Sequence, residues 1–225
     1  MRTDFGAIFD VDGVLVDSKE AHYAAWCRLA EEVGKPHPRD FFERTFGMHN
    51  REIIRAWLGS GLPAEEVERL SAWKEAAYRE AAAAALEPID GAPDLVRALA
   101  ADGFRLAVGS SGPPENIELA LRALGLAGAF HAVSSGRDVS EGKPHPEVFL
   151  KAAAKLDLPP SRCVVFEDAP QGVEAGLLAG ARAIAVASTR DTSDLRRAHL
   201  VVRSLRELDP ARVRGLLAPA AAAKR

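Results

Sequence analysis

Residues 5–18 read FGAIFDVDGVLVDS, and this stretch decides the predicted fold. Its short apolar run favours a buried strand over a helix, on length and composition. The run ends at Asp10, and Asp12 follows after one residue. In extended backbone, residues i and i+2 point to the same side, so both carboxylates can face one site. Gly13 then allows the chain to turn away sharply.

The Asp10 and Asp12 pair suggests a metal site. Two carboxylates so close repel each other, and burying them unpaired is costly. A cation between them removes that cost, and a hard ion such as Mg²⁺ suits oxygen ligands. A strand that merely ends in acidic loop residues is a common alternative, so the pair alone does not establish the site.

Bulk composition indicates an ordinary globular protein. The chain has 225 residues, of which 48% are hydrophobic and 27% charged, enough for one domain with a large insertion or for two small domains. The net charge of -3 and the pI near 6.1 give no electrostatic footprint for nucleic acid. We expect neither a membrane span nor a signal peptide, and the cytoplasm is the predicted location. Cys27 and Cys163 have no zinc or disulfide spacing and are predicted to be small core residues.

Residues 18–87 follow a helical pattern without a strand. Ser18 suits a helix N-cap, and apolar residues then repeat with a 3.6-residue period as far as Gly34. Further helices are predicted at 39–45, 51–58 and 64–86. This stretch therefore predicts a separate small helical domain at 17–87, with residues 1–16 and 88–225 forming the other domain.

Beyond residue 88 the predicted strands alternate with helices. The predicted strands are 105–109, 130–134, 163–168, 183–187 and 200–202, and the predicted helices are 93–101, 115–124, 146–156 and 170–179. This alternation indicates the α/β class, with a Rossmann-like parallel sheet covered by helices on both faces. The Ala-rich tail, 218–225, is expected to be frayed.

Polar residues gather where these strands end, which is where open α/β sheets bind ligands. Ser110 and Ser111 precede a helix, whose start can bind phosphate, although both could simply cap the helix. Lys143 is held on a stiff segment and could point inward, although a lone Lys is usually a solvated charge. Glu167 and Asp168 end an apolar strand, as acids also do for purely structural reasons. The coincidence of these residues at one edge predicts an active site.

The motifs resemble those of the haloacid dehalogenase superfamily of phosphoryl-transfer enzymes. DVDGVLVDS at 10–18 looks like the first motif, and Ser110 matches the Ser or Thr of the second. EGKPHPEVF at 141–149 resembles the third motif, and FEDAPQGVEAG at 166–176 the fourth. Four motifs in the right order identify the chain as a member, and the resemblance covers nearly all of it.

The resemblance implies a mechanism by position. Asp10 would attack phosphorus and form an aspartyl-phosphate, while Asp12 would protonate the leaving oxygen and later deprotonate water or a hydroxyl. Lys143 would neutralise the nucleophile and the transferring group. Mg²⁺ would be held by Asp10, the backbone carbonyl of Asp12, Asp168 and Glu167. The presence of Asp12 argues against the dehalogenase branch of the superfamily.

The helical insertion falls where one superfamily class has a cap domain, which closes over the site and chooses the substrate. Residues 10–34 are similar to the β-phosphoglucomutase-like and phosphoglycolate phosphatase-like subfamily. His22 and Trp26 fall at the mutase His and Trp, and Arg51 and Lys74 lie near the cap residues that grip a distal phosphate. The resemblance implies that these four, with Ser111, bind substrate.

Two departures weaken the likeness to the mutases. One extra residue separates Gly47 from Arg51, and Gly-Pro-Pro at 112–114 replaces a polar run that reads sugar hydroxyls. Arg51 and Lys74 could equally be solvated helix charges, and His22 a packing residue.

Three functions stay open at this point. The favoured one is a Mg²⁺-dependent phosphatase of a small phosphorylated metabolite, such as a sugar phosphate or phosphoglycolate. The second is a β-phosphoglucomutase-like isomerase, and the third is a non-catalytic binding or scaffold domain, which the full motif set disfavours. The expected partner is the small metabolite, with neither nucleic acid nor membrane, and the chain is expected to be a monomer or weak homodimer.

Overall fold

The computed structural model describes residues 4–83 and 86–217. A parallel sheet lies at its centre. The strands, in chain order, are β1 (Gly6–Phe9), β2 (Val16–Asp17), β3 (Glu87–Pro88), β4 (Arg105–Gly109), β5 (Ala132–Ser134), β6 (Cys163–Glu167), β7 (Arg182–Val186) and β8 (Leu200–Val202). Six of them form one sheet in the order β5-β4-β1-β6-β7-β8, in which neighbouring strands are parallel. β1 therefore lies inside the sheet, between β4 and β6.

The helices fall into two groups along the chain. Those between β2 and β3 are α1 (Lys19–Val33), α2 (Arg39–Thr45), α3 (Asn50–Leu58) and α4 (Ala64–Ala82). Those that alternate with the strands of the large sheet, or follow it, are α5 (Ala92–Ala101), α6 (Pro114–Ala123), α7 (Glu147–Lys155), α8 (Pro170–Leu178) and α9 (Pro210–Leu217).

Both faces of the large sheet are covered, as the sequence predicts. Successive side chains of a strand point to opposite faces. Phe9 accordingly packs with Val96 of α5 and Ile117 of α6 in one apolar cluster, whereas Ile8 packs with Phe149 of α7 in another. Because neither face of β1 meets water, its sequence is apolar throughout rather than alternating.

The first four helices build a core of their own. Its buried apolar residues come from all four helices or their ends: Trp26, Leu29, Phe42, Phe46, Ile53, Ile54, Trp57, Val67 and Leu70. Residues 16 and 17 pair with 87 and 88 as the short antiparallel ribbon of β2 and β3, at both ends of this helical group. The separate core and this ribbon support the proposed division into 17–87 and the remainder of the chain.

The predicted α/β class with an inserted helical unit is confirmed, with differences at element ends. α4 ends at Ala82 rather than at residue 86, and β5 starts at Ala132 rather than at residue 130. Residues 84–85 and the predicted frayed tail, 218–225, lie outside the described residues. Cys163 is buried as expected, and Cys27 is half-buried. Across 4–83 and 86–217, every helix is too short or too polar to cross a membrane.

Candidate active site

Asp10 and Asp12 stand at the carboxyl end of β1, beside the end of β6. The Asp10 N–H donates to the carbonyl oxygen of Phe166 at 3.0 Å, which continues the sheet by one residue. Gly13 then has a φ of +78°, and a Cβ at this position would run into the Asp168 carboxylate. Glycine is therefore required here both for the turn and for the close approach of Asp168.

Lys143 lies between two of the carboxylates. Its Nζ is 2.5 Å from Glu167 Oε1 and 3.2 Å from Asp10 Oδ1, and its side chain is 2% exposed. Burial acts to lower the pKa of Lys143, but the carboxylates of Asp10 and Glu167 outweigh this and raise it. The alternative of a solvated surface lysine is thus excluded, and a fixed positive charge faces Asp10.

Three acidic side chains lie close together beside Lys143. Asp10, Glu167 and Asp168 are buried and can each offer an oxygen within 4.8 Å of the others. Glu167 Oε2 accepts from the backbone N–H of Asp168 at 3.1 Å, and a Cβ on Gly172 would strike the Glu167 carboxyl group. Burial, followed by the charge of Glu167, raises the pKa of Asp168 to about 7. Burial likewise raises the pKa of Asp10, against the lowering effect of Lys143.

The carboxylate oxygens of Asp10, Glu167 and Asp168 fit Mg²⁺. Three buried carboxylates share one lysine, whose single positive charge cannot offset all three. Hard carboxylate oxygens are the ligands that Mg²⁺ prefers, and a divalent cation would offset the burial of these charges. Asp10, Glu167 and Asp168 could therefore hold the ion through their side chains.

Asp12 has different surroundings, because its side chain faces the first turns of α1. Asp12 Oδ1 accepts from Ser18 Oγ at 2.5 Å and lies 3.1 Å from His22 Nε2. Burial acts to raise the pKa of Asp12, but His22 and Ser18 outweigh it and lower the pKa to about 2. The side chain of Asp12 is therefore a carboxylate held by residues of the helical unit.

A chain of polar contacts continues from His22 into α4. Lys74 Nζ lies 2.7 Å from His22 Nδ1, and the Lys74 ammonium can only donate, so this nitrogen accepts. His22 Nε2 then carries the proton that it shares with Asp12. The His22 ring also stacks on Tyr78, with centroids 3.8 Å apart. His22 thus packs against Tyr78 and also contacts Asp12. A packing role for His22 therefore does not exclude a role in the site.

Ser110 and Ser111 lie at the end of β4, as predicted. Ser110 is buried, and its Oγ accepts from the N–H of Gly112 at 3.1 Å. Pro113 and Pro114, at the start of α6, carry no N–H. This helix start therefore offers fewer free N–H groups than the sequence prediction assumed. Ser111 Oγ donates to the carbonyl oxygen of Gly47 at 3.1 Å, which joins the sheet edge to the helical unit.

A cavity of about 510 Å³ lies between the sheet edge and the helical unit. Asp10, Asp12, Ser110 and Ser111 line its floor. Direct contacts between the two units flank it, including Gln171 Nε2 to the Phe46 carbonyl oxygen at 2.8 Å. The helical unit and the sheet edge are therefore in direct contact beside the cavity.

The other predicted substrate-binding residues also line the cavity: His22, Trp26, Arg51 and Lys74. Trp26 is buried in the core of the helical unit, with Lys74 Nζ 5.2 Å from its ring centroid. Lys74 is 2% exposed, so it is not a solvated helix charge. Arg51 is half-buried, and its Nε lies 3.6 Å from Glu68 Oε1.

Sequence reasoning missed three polar residues near the site. Glu75 and Asn116 are buried and hydrogen-bond each other between α4 and α6. Thr189, in the loop after β7, donates its hydroxyl to Asp168 Oδ2. Each lies outside the four motifs, and no local pattern marks it.

Comparison with known proteins places these features in a family. The chain is 35% identical over 205 residues to the chloroplastic 5-amino-6-(5-phospho-D-ribitylamino)uracil phosphatase of Arabidopsis thaliana, covering 90% of this chain and 55% of that protein. The chain thus spans about half the length of that relative. It is 32% identical over 202 residues to the validoxylamine A 7'-phosphate phosphatase of Streptomyces hygroscopicus subsp. limoneus, covering 90% of this chain and 94% of that protein.

Solved structures agree with the fold. The crystal structure of β-phosphoglucomutase from Clostridium difficile superposes with a TM-score of 0.84 at 26% identity, covering 96% of this chain and 97% of that chain. A family model described as haloacid dehalogenase-like hydrolase matches residues 6–180. The chain therefore belongs to the haloacid dehalogenase-like hydrolases, as an enzyme similar to phosphatases and to a β-phosphoglucomutase of that family.

Proposed function

We propose that this protein is a Mg²⁺-dependent phosphatase that hydrolyses a small phosphorylated metabolite through an aspartyl-phosphate on Asp10. One observation carries the proposal. Asp10 and Asp12 line the same cavity in different surroundings, with Asp10 against Lys143 and Asp12 against Ser18 and His22. Two carboxylates held in unlike environments suit two roles, a nucleophile and an acid/base.

In the first step a carboxylate oxygen of Asp10 attacks phosphorus, and the bond from phosphorus to the leaving oxygen breaks. Asp12 donates a proton to that oxygen. The Asp12 carboxylate must therefore be protonated before this step. An anionic phosphate bound beside Asp12 favours this uptake, since a nearby like charge disfavours the ionised carboxylate. Lys143 compensates the negative charge that gathers around Asp10.

In the second step Asp12 accepts a proton from water, and the water oxygen attacks the phosphorus of the aspartyl-phosphate. The bond between phosphorus and Asp10 breaks, which releases inorganic phosphate and restores the carboxylate. Mg²⁺, held by Asp10, Glu167 and Asp168, would supply charge neutralisation at the phosphoryl oxygens. Phosphoryl transfer depends mostly on positioning and on such charge stabilisation, so this set of groups is sufficient.

Hydrolysis is preferred over isomerisation mainly because of the cavity floor. The two relatives compared by sequence are phosphatases, but the superposed structure is a β-phosphoglucomutase, so the relatives alone do not decide. The segment after Ser111 is Gly-Pro-Pro, which brings no polar side chain to read a sugar hydroxyl. Mutase activity uses the same core chemistry, with a sugar hydroxyl in place of water, and is tested alongside.

The test is ³¹P NMR of the purified protein with a panel of phosphorylated metabolites, in Mg²⁺ and in EDTA. We expect Mg²⁺-dependent release of inorganic phosphate from at least one of them, and its loss in Asp10→Asn. Asp17→Asn is the matched control, since Asp17 is an exposed acid in the same segment. Conversion of β-glucose 1-phosphate to glucose 6-phosphate without free phosphate, given a trace of glucose 1,6-bisphosphate, would show a mutase instead.

A further inference from the structure

The segment that carries Lys143 runs from the end of β5 to the start of α7, over residues 135–146. Lys143 itself contacts Asp10 and Glu167 at the sheet edge. The residues before it belong to neither a strand nor a helix, so their N–H groups need side-chain partners or water. The partners of these N–H groups therefore decide how firmly Lys143 is held against Asp10.

Two carboxylates from different parts of the molecule accept hydrogen bonds from this segment. Glu147, in the first turn of α7, accepts through its Oε2 from the N–H groups of Ser140 at 2.8 Å and Glu141 at 3.2 Å. Glu52, in the first turn of α3, accepts through its Oε1 from the N–H of Gly142 at 3.2 Å. Three consecutive N–H groups are thus held by carboxylates, and the last of them depends on the helical unit.

Two neighbours of Glu52 contact the same segment. His49 Nδ1 accepts from the Arg51 N–H, so the proton of a neutral ring is on Nε2. His49 Nε2 lies 3.2 Å from the carbonyl oxygen of Gly136, to which it then donates. Arg51 Nη2 donates to the carbonyl oxygen of Val139 at 3.4 Å. Residues 49–52, at the start of α3, therefore contact residues 136–142 at three points.

Gly142 allows this close approach. A Cβ at Gly142 would lie 2.6 Å from Glu52 Oε1 and 2.9 Å from His49 Cβ, and its three nearest atoms all belong to these two residues. Gly142 does not have a positive φ, so the turn of the segment does not itself require glycine. The missing side chain at this position therefore makes room for the helical unit.

We propose that Glu52 is a positioning residue for Lys143, through which the helical unit holds the lysine against Asp10. The inference rests on the proposed phosphatase function and adds one residue on which it depends. Glu52 is not among the described residues that line the cavity, so it acts through Gly142 rather than on the substrate.

The physical reason is the freedom that the segment gains without this contact. Glu52 is half-buried, and a hydrogen bond to a carboxylate is stronger than one to a neutral acceptor. When Glu52 is absent, the Gly142 N–H turns to water and the peptide before Lys143 moves more freely. Phosphoryl transfer depends on the placement of compensating charge, and a displacement of about 1 Å can cost roughly 10²-fold in rate.

The kinetic test measures kcat/KM for p-nitrophenyl phosphate with the full chain in Mg²⁺, because this ratio reports the phosphorylation of Asp10. We expect Glu52→Ala to lower it by roughly tenfold or more. Glu52→Gln keeps an acceptor oxygen and should restore most of the loss. Gly142→Ala, which pushes Glu52 away, should show a similar loss. The double variant Glu52→Ala/Gly142→Ala should lose no more than either single variant, since both remove the same contact.

The matched control is Gln171→Leu. Gln171 Nε2 donates to the Phe46 carbonyl oxygen, so this change also removes a hydrogen bond between the two units, but away from residues 135–146. It should lower kcat/KM far less than Glu52→Ala does. Equal losses would mean that Glu52 merely joins the units, and would overturn the inference.

A spectroscopic test follows Lys143 directly. Its ammonium group is buried, so we expect slow proton exchange and a resolved ¹⁵N–¹H signal in protein labelled at lysine Nζ, assigned by its absence in Lys143→Arg. The signal should shift or broaden in Glu52→Ala and stay at its wild-type position in Glu52→Gln and Gln171→Leu. An unchanged signal in Glu52→Ala would overturn the inference. If Glu52→Ala does not fold, Gly142→Ala decides by the same criteria.

Failure of the proposed function has a different signature. Without turnover of p-nitrophenyl phosphate or of any metabolite by the wild type, the phosphatase proposal fails. The Lys143 signal needs no turnover, so its response to Glu52→Ala still shows whether Glu52 positions the lysine.

Discussion

His22 contacts Asp12 through one ring nitrogen and Lys74 through the other. The Nε2 atom lies 3.1 Å from Asp12 Oδ1, and Nδ1 lies 2.7 Å from Lys74 Nζ. Asp12 belongs to the sheet edge, whereas His22 and Lys74 belong to the helical unit. The orientation of Asp12, the proposed acid/base, therefore depends on the positions of α1 and α4.

Replacing His22 with Ala should impair proton transfer more than phosphate binding. We expect kcat/KM for an alkyl phosphate to fall by roughly 10²-fold, because Asp12 loses the group that orients it as the acid of the first step. The comparison uses kcat/KM because kcat also includes the attack of water, in which Asp12 is the base for every substrate. Hydrolysis of p-nitrophenyl phosphate should fall much less, since p-nitrophenolate leaves without being protonated. Steady-state kinetics with both substrates measures this difference. Equal losses on the two leaving groups would mean that His22 acts in packing or binding instead.

Replacing Lys143 with Met should destabilise the fold as well as abolish activity. It leaves the buried Asp10 and Glu167 without their shared cation, which costs roughly 3–5 kcal/mol. Urea denaturation should show a larger loss in EDTA than in Mg²⁺, because a bound divalent ion partly replaces the lysine charge. The control is Lys151→Met, which breaks a half-exposed ion pair with Glu147 and should cost far less. Similar losses in both variants would contradict the prediction.

Replacing Thr189 with Val should weaken Mg²⁺ binding. The hydroxyl of Thr189 donates to Asp168 Oδ2, and groups that orient a ligand typically change metal affinity by about 10–100-fold. Mn²⁺ binding followed by electron paramagnetic resonance reads the affinity without turnover. Thr189→Ser keeps the hydroxyl and should restore most of it. Unchanged affinity in Thr189→Val would exclude a positioning role.

Replacing His37 with Phe should stabilise the protein, most strongly below pH 6. Both ring nitrogens of His37 are buried without a hydrogen bond from the described residues, and the ring stacks on Trp26 with centroids 4.9 Å apart. Burial, with a smaller effect of the Lys74 charge, lowers the pKa of His37 from 6.5 to about 4.

The sign of this pH dependence follows from proton binding. The unfolded chain binds the proton of His37 more tightly, so stability is lost as pH falls from about 6.5 towards 4. We expect Phe to add about 1 kcal/mol at pH 7.5, by removing unsatisfied nitrogens, and more at pH 5. Thermal denaturation at the two pH values measures the gain. A gain that is absent, or equal at both values, would show that His37 finds partners in solution.

Sequence patterns predicted the elements whose residues are close together in the chain. The apolar run before Asp10 gave β1 because burial on both faces leaves a continuous apolar signature. The ribbon of β2 and β3 was missed, since Val16 and Pro88 pair across the whole helical unit and two residues have no periodicity. The motif residues could be predicted because each motif is a contiguous string. Glu75 and Thr189 could not, since their roles arise from contacts with residues distant in sequence.

The most direct measurement is intact mass spectrometry of Asp12→Asn after incubation with acetyl phosphate and Mg²⁺. Acetate leaves without an acid, so Asp10 can still be phosphorylated, while the missing base slows the attack of water by roughly 10²–10⁴-fold. The account predicts that the protein gains one phosphoryl group, which peptide mapping locates on Asp10, and that Asp10→Asn in the same background gains none. A phosphoryl group on another residue, or wild-type turnover of acetyl phosphate with no label on Asp10 in the variant, would contradict it.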